Sequence, residues 1–206
     1  MAEQGSEQRR AAGHDPKVGH GPKAGHGPKA GHDQALAERV QAALRTVADY
    51  PSPGVLFQDI SPVLADGGLL AALVEALAQR YAGRVDVVAG VEARGFVLGA
   101  PLAVRLGVGF VPVRKAGKLP GDLLSAAYDL EYGTANIEVQ HDAFVPGART
   151  LVVDDVLATG GTAGSACDLV ERAGALVVEF AVLVELSGLG GRQRLPGRVV
   201  HSLLVL

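Results

Sequence analysis

The stretch LVVDDVLATGGTAGSA, Leu151 to Ala166, decides the fold class of this 206-residue chain. Thr150 to Val153 is an apolar, β-branched run that stops at two adjacent carboxylates, Asp154 and Asp155. A loop rich in Gly and Thr follows, and a helical pattern begins at Ala163. A parallel strand that ends in a loop and feeds a helix N-terminus is where α/β proteins bind anions, because orphan backbone N–H groups and the positive end of the helix dipole converge there. Gly160 and Gly161 let the backbone close around a phosphate without Cβ clashes, and Thr159 and Thr162 add hydroxyl donors. The acidic pair repels phosphate and suits sugar hydroxyls or a phosphate-bound Mg²⁺ instead. The ligand expected is one with a phosphate at one end and a hydroxylated or metal-bearing part beside it.

Working outward, strands and helices alternate. Leu36, Val40, Leu44 and Val47 recur at helical spacing and predict a helix that ends before Tyr50-Pro51. Pro51 to Leu64 is turn-rich and extended, and Leu69, Leu70, Leu73, Val74 and Leu77 predict a second amphipathic helix. Strands are then expected over Val85–Val91, Gly109–Val113, Thr150–Val153, Leu176–Leu183 and Val199–Val205, with helices over Phe96–Leu106 and Ala163–Ala173. Continuous Val-rich runs mean strands covered on both faces, hence a central, mostly parallel sheet flanked by helices. Between Leu123 and Phe144 the pattern changes: Tyr128–Tyr132 and Ala135–Gln140, joined at Gly133, predict an antiparallel hairpin inserted into the α/β frame as a lid.

Residues 1–33 stand apart. His14 to His32 repeats GHDPKV, GHGPKA, GHGPKA and GHD, with Pro and Gly in every full unit and nothing apolar to form a core, which predicts a disordered tail before a domain over 34–206. Four of the six histidines lie there, six residues apart on a flexible chain, with no preformed metal geometry. A formal net charge of −3 creates no global field for polyanions, and the absence of Trp argues against an aromatic-lined nucleic-acid binder. The single cysteine, Cys167, forbids an intramolecular disulfide, reads as a buried apolar residue, and fits a reducing compartment. No apolar run approaches a membrane span and no signal-peptide core is present, so a cytoplasmic protein without nucleic-acid or membrane partners is expected.

Ligands of an open parallel sheet sit beyond the carboxyl ends of its strands. Two further strand ends carry suitable groups: Glu92-Ala93-Arg94-Gly95, a charged turn opening a helix, and Arg114-Lys115-Ala116-Gly117-Lys118, a cationic loop for a highly charged phosphate. Neither G-x-x-x-x-G-K-[ST] nor G-x-G-x-x-G after a strand occurs, which excludes a Walker A loop and a dinucleotide fingerprint.

The acidic pair followed by Ala158-Thr159-Gly160-Gly161-Thr162 resembles the phosphoribosyl-diphosphate signature of the type I phosphoribosyltransferases. YPSPGVLFQDISPVL, GVEARGFVLGAPLA, VRKAGKLPG, YDLEYG and LVVDDVLATGGT together are similar to segments of the adenine phosphoribosyltransferase family, over about Leu36 to the C-terminus. The repeat tail has no counterpart in that pattern.

The resemblance implies a type I phosphoribosyltransferase fold with a small hood, about residues 50–64 and 185–206. It also implies the reaction of adenine with 5-phosphoribosyl 1-diphosphate to give AMP and diphosphate, assisted by Mg²⁺ bound mainly through substrate, in a homodimer. By the same resemblance Ala158 to Thr162 would cradle the 5-phosphate, and Asp154 and Asp155 would face the ribose hydroxyls and metal. Arg94, Lys115 and Lys118 would neutralise the diphosphate, with Arg114 a weaker candidate, and a non-proline cis peptide would fall at Glu92–Ala93. Leu56, Phe57, Gln58 and Leu189 would hold the base, Phe57 and Leu189 sandwiching the ring. Gln58 stands where the family commonly has Arg. Glu131 would handle the proton on adenine's imidazole ring, with Tyr132 helping to close the site.

Three rivals share parts of this pattern. A sister enzyme for another base would share the phosphate-side motifs, but the PGVLFQD hood and YDLEYG hairpin favour adenine. A regulatory sensor on the same fold predicts a DNA-binding appendage and a missing catalytic acid, whereas Glu131 is present. A receiver-like phosphoacceptor gives no reason for the Thr/Gly loop.

Overall fold

A computed structural model describes residues 30–129 and 134–206, and the side chains of 30–32, 129 and 134 are not described. The repeat tail, Glu131 and Tyr132 therefore lie outside the described residues, apart from the tail's last four positions. The core is a seven-stranded sheet in the order β5-β6-β4-β3-β7-β8-β9. Its strands are β3 (Val87–Val91), β4 (Gly109–Lys115), β5 (Leu123–Asp129), β6 (Thr134–Gln140), β7 (Arg149–Leu157), β8 (Leu176–Glu185) and β9 (Val200–Val205). Strands β4, β3, β7, β8 and β9 run parallel, and the β5–β6 hairpin adds antiparallel to β4.

Side-chain alternation explains why β7 reads as an unbroken apolar run. Leu151 and Val153 enter one core with helices α1 (Ala30–Ala43), α3 (Gly67–Tyr81) and α4 (Arg94–Leu106), while Val152 enters a second core with α5 (Gly161–Arg172). Cys167 is fully buried in that second core, and burial pushes its thiol up to about 12, as befits a packing residue. Asp66 starts α3 by accepting the Leu69 N–H at 2.9 Å.

Several expected boundaries move. The first helix ends at Ala43, so Leu44 and Val47 do not continue it. Arg45–Ala48 forms β1, which pairs antiparallel with β2 (Leu56–Asp59) in a separate two-stranded hood ribbon. Thr46-Val47 is β-branched, and cross-strand pairing with Phe57 and Gln58 overrides the helical spacing. A short helix α2 (Ser61–Ala65) occupies the turn-rich stretch, with Pro62 at its start. The C-terminal part of the expected hood divides. Residues 200–205 pair with β8 as the edge of the main sheet, leaving the segment between Glu185 and Val200 to reach over the site.

Outside the site, Asp86 accepts the Arg149 backbone N–H and Nε, each at 2.9 Å, and Arg149 also reaches the Gly83 carbonyl at 3.0 Å, tying the starts of β3 and β7. These hydrogen bonds hold the Asp86 carboxyl at about 2. A folded value below the unfolded one, about 3.9, means stability that is present above that value and is lost as pH falls through about 2. Asp86→Asn is accordingly expected to lower the melting temperature at pH 6 and to lower it far less near pH 2. A parallel offset at both pH values would refute this.

Candidate active site

Strand β7 runs further than its apolar run implies, so Asp154 and Asp155 lie within the strand rather than beyond its end. Consecutive strand residues leave the backbone in different directions, so the two carboxylates take different partners although both border the same cavity. Asp155 is buried, and its Oδ2 stands 2.9 Å from Arg94 Nε in an ion pair whose N–H does not aim along a hydrogen-bond direction. Asp154 Oδ1 accepts the Asp155 backbone N–H at 2.9 Å. Burial, and then the neighbouring Asp155 charge, push the Asp154 carboxyl well above its ordinary value.

Arg94 sits at the start of α4, directly after the Glu92–Ala93 peptide, which is cis as the resemblance implies. Gly95 is required next, because a Cβ there would lie 2.6 Å from the Val153 carbonyl oxygen and 3.2 Å from Asp154 Cα. That close approach of α4 to β7 is what brings the Arg94 guanidinium over Asp155. The same guanidinium lies 5.5 Å from the Phe57 ring centroid, so one cation touches both the acidic pair and the hood.

The phosphate loop closes as its composition predicts. Gly160 adopts φ +83°, a left-handed conformation, and α5 begins at Gly161, two residues before the expected Ala163. No side chain caps α5, so its first N–H groups point into the loop Ala158 to Thr162 for a ligand to use.

These pieces line one cavity of about 1030 Å³. Arg94, Lys115, Asp154, Asp155 and all of Ala158 to Thr162 face it, together with Leu56, Phe57, Gln58 and Leu189. Leu56 and Leu189 are 63% and 50% exposed, unusual for leucine and suited to covering a flat apolar ligand. Phe57 is braced edge-on by Tyr50, with centroids 5.1 Å apart. The Gln58 side chain accepts the Thr46 hydroxyl at 3.3 Å across the ribbon. That commits its carbonyl oxygen to the ribbon.

Two cations differ from expectation. Arg114 is committed to structure, donating to Glu92 Oε2 at 3.2 Å and to the Lys118 carbonyl at 3.1 Å. Lys118 is exposed on the same loop and is not among the cavity's lining residues. Glu92 is the organiser that sequence reading missed. Its Oε2 also accepts the Lys115 backbone N–H at 3.0 Å, which holds the cationic loop beside the Arg94 turn. Tyr128, buried on β5, lines the cavity too. Glu92 was visible as part of a charged turn, but its partners on β4 were not, and the strand residue Tyr128 gives no periodic sign of the cavity it approaches.

Comparison with known proteins decides among enzymes that share this phosphate-side architecture. The phosphoribosyl transferase domain family matches residues 63–196. The chain is 57% identical over 170 residues to an adenine phosphoribosyltransferase of Acidothermus cellulolyticus, covering 82% of this chain and 96% of that protein. The chain belongs to the adenine phosphoribosyltransferase family. A solved adenine phosphoribosyltransferase from Rhodothermus marinus superposes with a TM-score of 0.79 at 51% identity, covering 84% of this chain and 99% of that one. The Saccharomyces cerevisiae adenine phosphoribosyltransferase, solved with adenine and an imino-altritol bisphosphate, superposes with a TM-score of 0.80 at 40% identity over 83% of this chain and 99% of that one. The fold of this chain, with its parallel sheet, hood ribbon and edge hairpin, is the α/β architecture expected from the sequence.

Proposed function

We propose that this chain transfers the 5-phosphoribosyl group of 5-phosphoribosyl 1-diphosphate to adenine, giving AMP and diphosphate in the salvage of the free base. The observation that carries the proposal is the cavity in which an uncapped helix N-terminus, an acidic pair, two cations and an apolar hood meet. Loop 158–162 binds the 5-phosphate through backbone N–H groups and the Thr159 and Thr162 hydroxyls. Asp154 and Asp155 face the ribose hydroxyls, while Phe57 and Leu189 take the two faces of the purine.

The bond between the anomeric carbon and the diphosphate oxygen breaks as a nitrogen of adenine's imidazole ring bonds to that carbon and loses its proton. Positive charge builds on the sugar and negative charge on the leaving group. Carboxylates under the ribose and the Arg94 and Lys115 cations at the diphosphate, with Lys118 on the same loop, favour that separation. Asp154 and Asp155 offer hard carboxylate oxygens at the cavity, which suits Mg²⁺ as an ion carried mainly by substrate phosphates beside them. When bound, it supplies further charge neutralisation at the diphosphate.

Glu131 receives the imidazole proton, with Tyr132 beside it. What supports this is its place in YDLEYG and its distance of two residues beyond β5, whose outer edge is tied to α5. Ser165 Oγ donates to the Ala127 carbonyl at 3.1 Å, and Arg172 Nη1 to the Ser125 carbonyl at 2.8 Å. A homodimer is supported by Val97 and Val104, seven residues apart on α4 and 40% and 82% exposed. Cytoplasmic residence is supported by the lone buried Cys167, a free thiol suited to a reducing compartment.

The purified protein with 5-phosphoribosyl 1-diphosphate and Mg²⁺, offered each base in turn, is expected to release diphosphate with adenine. Release with hypoxanthine, xanthine or uracil instead would move the assignment to a sister enzyme. No release with any base would favour a sensor.

A further inference from the structure

The phosphate loop has a rear wall made by another loop. A Cβ on Gly160 would run into the Gly191 carbonyl oxygen and lie 2.9 Å from Arg194 Cβ, and a Cβ on Gly191 would run into the Ala158 carbonyl oxygen. Gly164, one turn into α5, sees the Arg194 carbonyl oxygen 3.4 Å from its own Cβ position. Backbone therefore packs on backbone along the loop, and any drift of residues 191–194 becomes a drift of the N–H groups offered to phosphate.

That wall is a single 3₁₀ turn, Gly191–Arg194, without a side-chain cap at its start. Such a turn has too few hydrogen bonds to hold its own position. What holds it is Arg192. Its Nε donates to Glu185 Oε1 at 2.9 Å, its Nη2 pairs with Glu185 Oε2, and its Nη1 donates to the Val200 carbonyl at 3.0 Å. Ser202 Oγ donates to the same Glu185 Oε2. Glu185 ends β8 and Ser202 lies on β9, so the turn is bolted to two neighbouring strands of the sheet. The Glu185 side chain is only 8% exposed, and a carboxylate so buried stays charged only where donors surround it. Arg192 first, and Ser202 after it, hold its carboxyl below the ordinary range. None of Glu185, Arg192 and Ser202 lines the cavity.

We infer that Arg192, fixed by Glu185 and Ser202, is a positioning residue for the 5-phosphate loop: it acts on phosphate recognition through the Gly191–Gly160 contact without touching substrate. The inference rests on the reading of loop 158–162 as the 5-phosphate cradle. The two cations of the diphosphate side belong to other elements, the start of α4 and the end of β4, so the effect is confined to one end of the ligand.

Calorimetric titration of the full chain with ribose 5-phosphate, and separately with diphosphate and Mg²⁺, tests this. Arg192→Ala is expected to weaken ribose 5-phosphate by about tenfold or more, since small misplacements of a binding group carry costs of that size, and to leave diphosphate unchanged. Arg192→Lys is expected to fall between, because an ammonium lacks the fork that grips both Glu185 oxygens. Equal loss for both ligands, or no loss for ribose 5-phosphate, would overturn the inference. If Arg192→Ala does not fold, Arg192→Lys and Glu185→Gln carry the same comparison, with the same outcomes for and against. Wild-type protein that binds no ribose 5-phosphate would sink the cradle reading and this inference together. Wild-type binding with unaltered variants would sink the inference alone.

Discussion

Gly160→Ala is expected to cut kcat/KM for 5-phosphoribosyl 1-diphosphate by a factor on the order of 100, the scale associated with displacing a binding group by about an ångström. Two costs coincide at that position. The residue adopts φ +83°, where a Cβ is disfavoured, and the added methyl would overlap the Gly191 carbonyl, a backbone atom with no rotamer to yield. Either the loop turns away from its wall or the wall moves, and in both cases the N–H groups leave the phosphate. Gly147→Ala is the control: it adopts φ +77° with nothing within 4 Å of the new Cβ. It carries only the backbone cost, on the order of 1 kcal/mol, and should lower the melting temperature without changing KM. Measured kcat/KM and melting temperature for both variants separate the two effects. A Gly160→Ala enzyme that loses stability but keeps its KM would show that the wall does not matter.

Glu131→Ala is expected to lower kcat by about two to four orders of magnitude, the range contributed by a positioned acid or base. Affinity for 5-phosphoribosyl 1-diphosphate should be unchanged, because the groups proposed to hold that ligand, loop 158–162, the acidic pair, Arg94 and Lys115, all lie on other elements. Single-turnover rates and a direct binding titration give the two quantities. Turnover near that of the wild type would remove Glu131 from the proton transfer. A parallel loss of ligand affinity would mark it as a structural residue of the hairpin.

The sequence by itself determined the parts whose chemistry is local. A β-branched run ending in Asp154-Asp155, a Gly/Thr loop and a helix start are recognisable because strand burial, left-handed backbone and an uncapped helix end each demand particular residues within a few positions. The antiparallel insertion was legible from its alternation, although its first strand runs Leu123–Asp129 rather than the expected Tyr128–Tyr132, and the match to five family segments carried the reading from a phosphate site to adenine. Only the tertiary structure decided what those parts do to one another. Val47 left its helix because pairing with Phe57 across the hood ribbon outweighs a spacing preference. Arg114 braces the cationic loop because Glu92, 22 residues away, lies within 3.2 Å of it. Arg94 meets both Asp155 and Phe57 because Gly95 lets a helix touch a strand. Arg192 was invisible altogether, since its partner Glu185 ends one strand, Val200 and Ser202 belong to the next, and Gly160 lies on a different loop. Contacts between residues distant in sequence leave no periodic trace along the chain. They exist only once burial of the two apolar cores has brought the strand ends together.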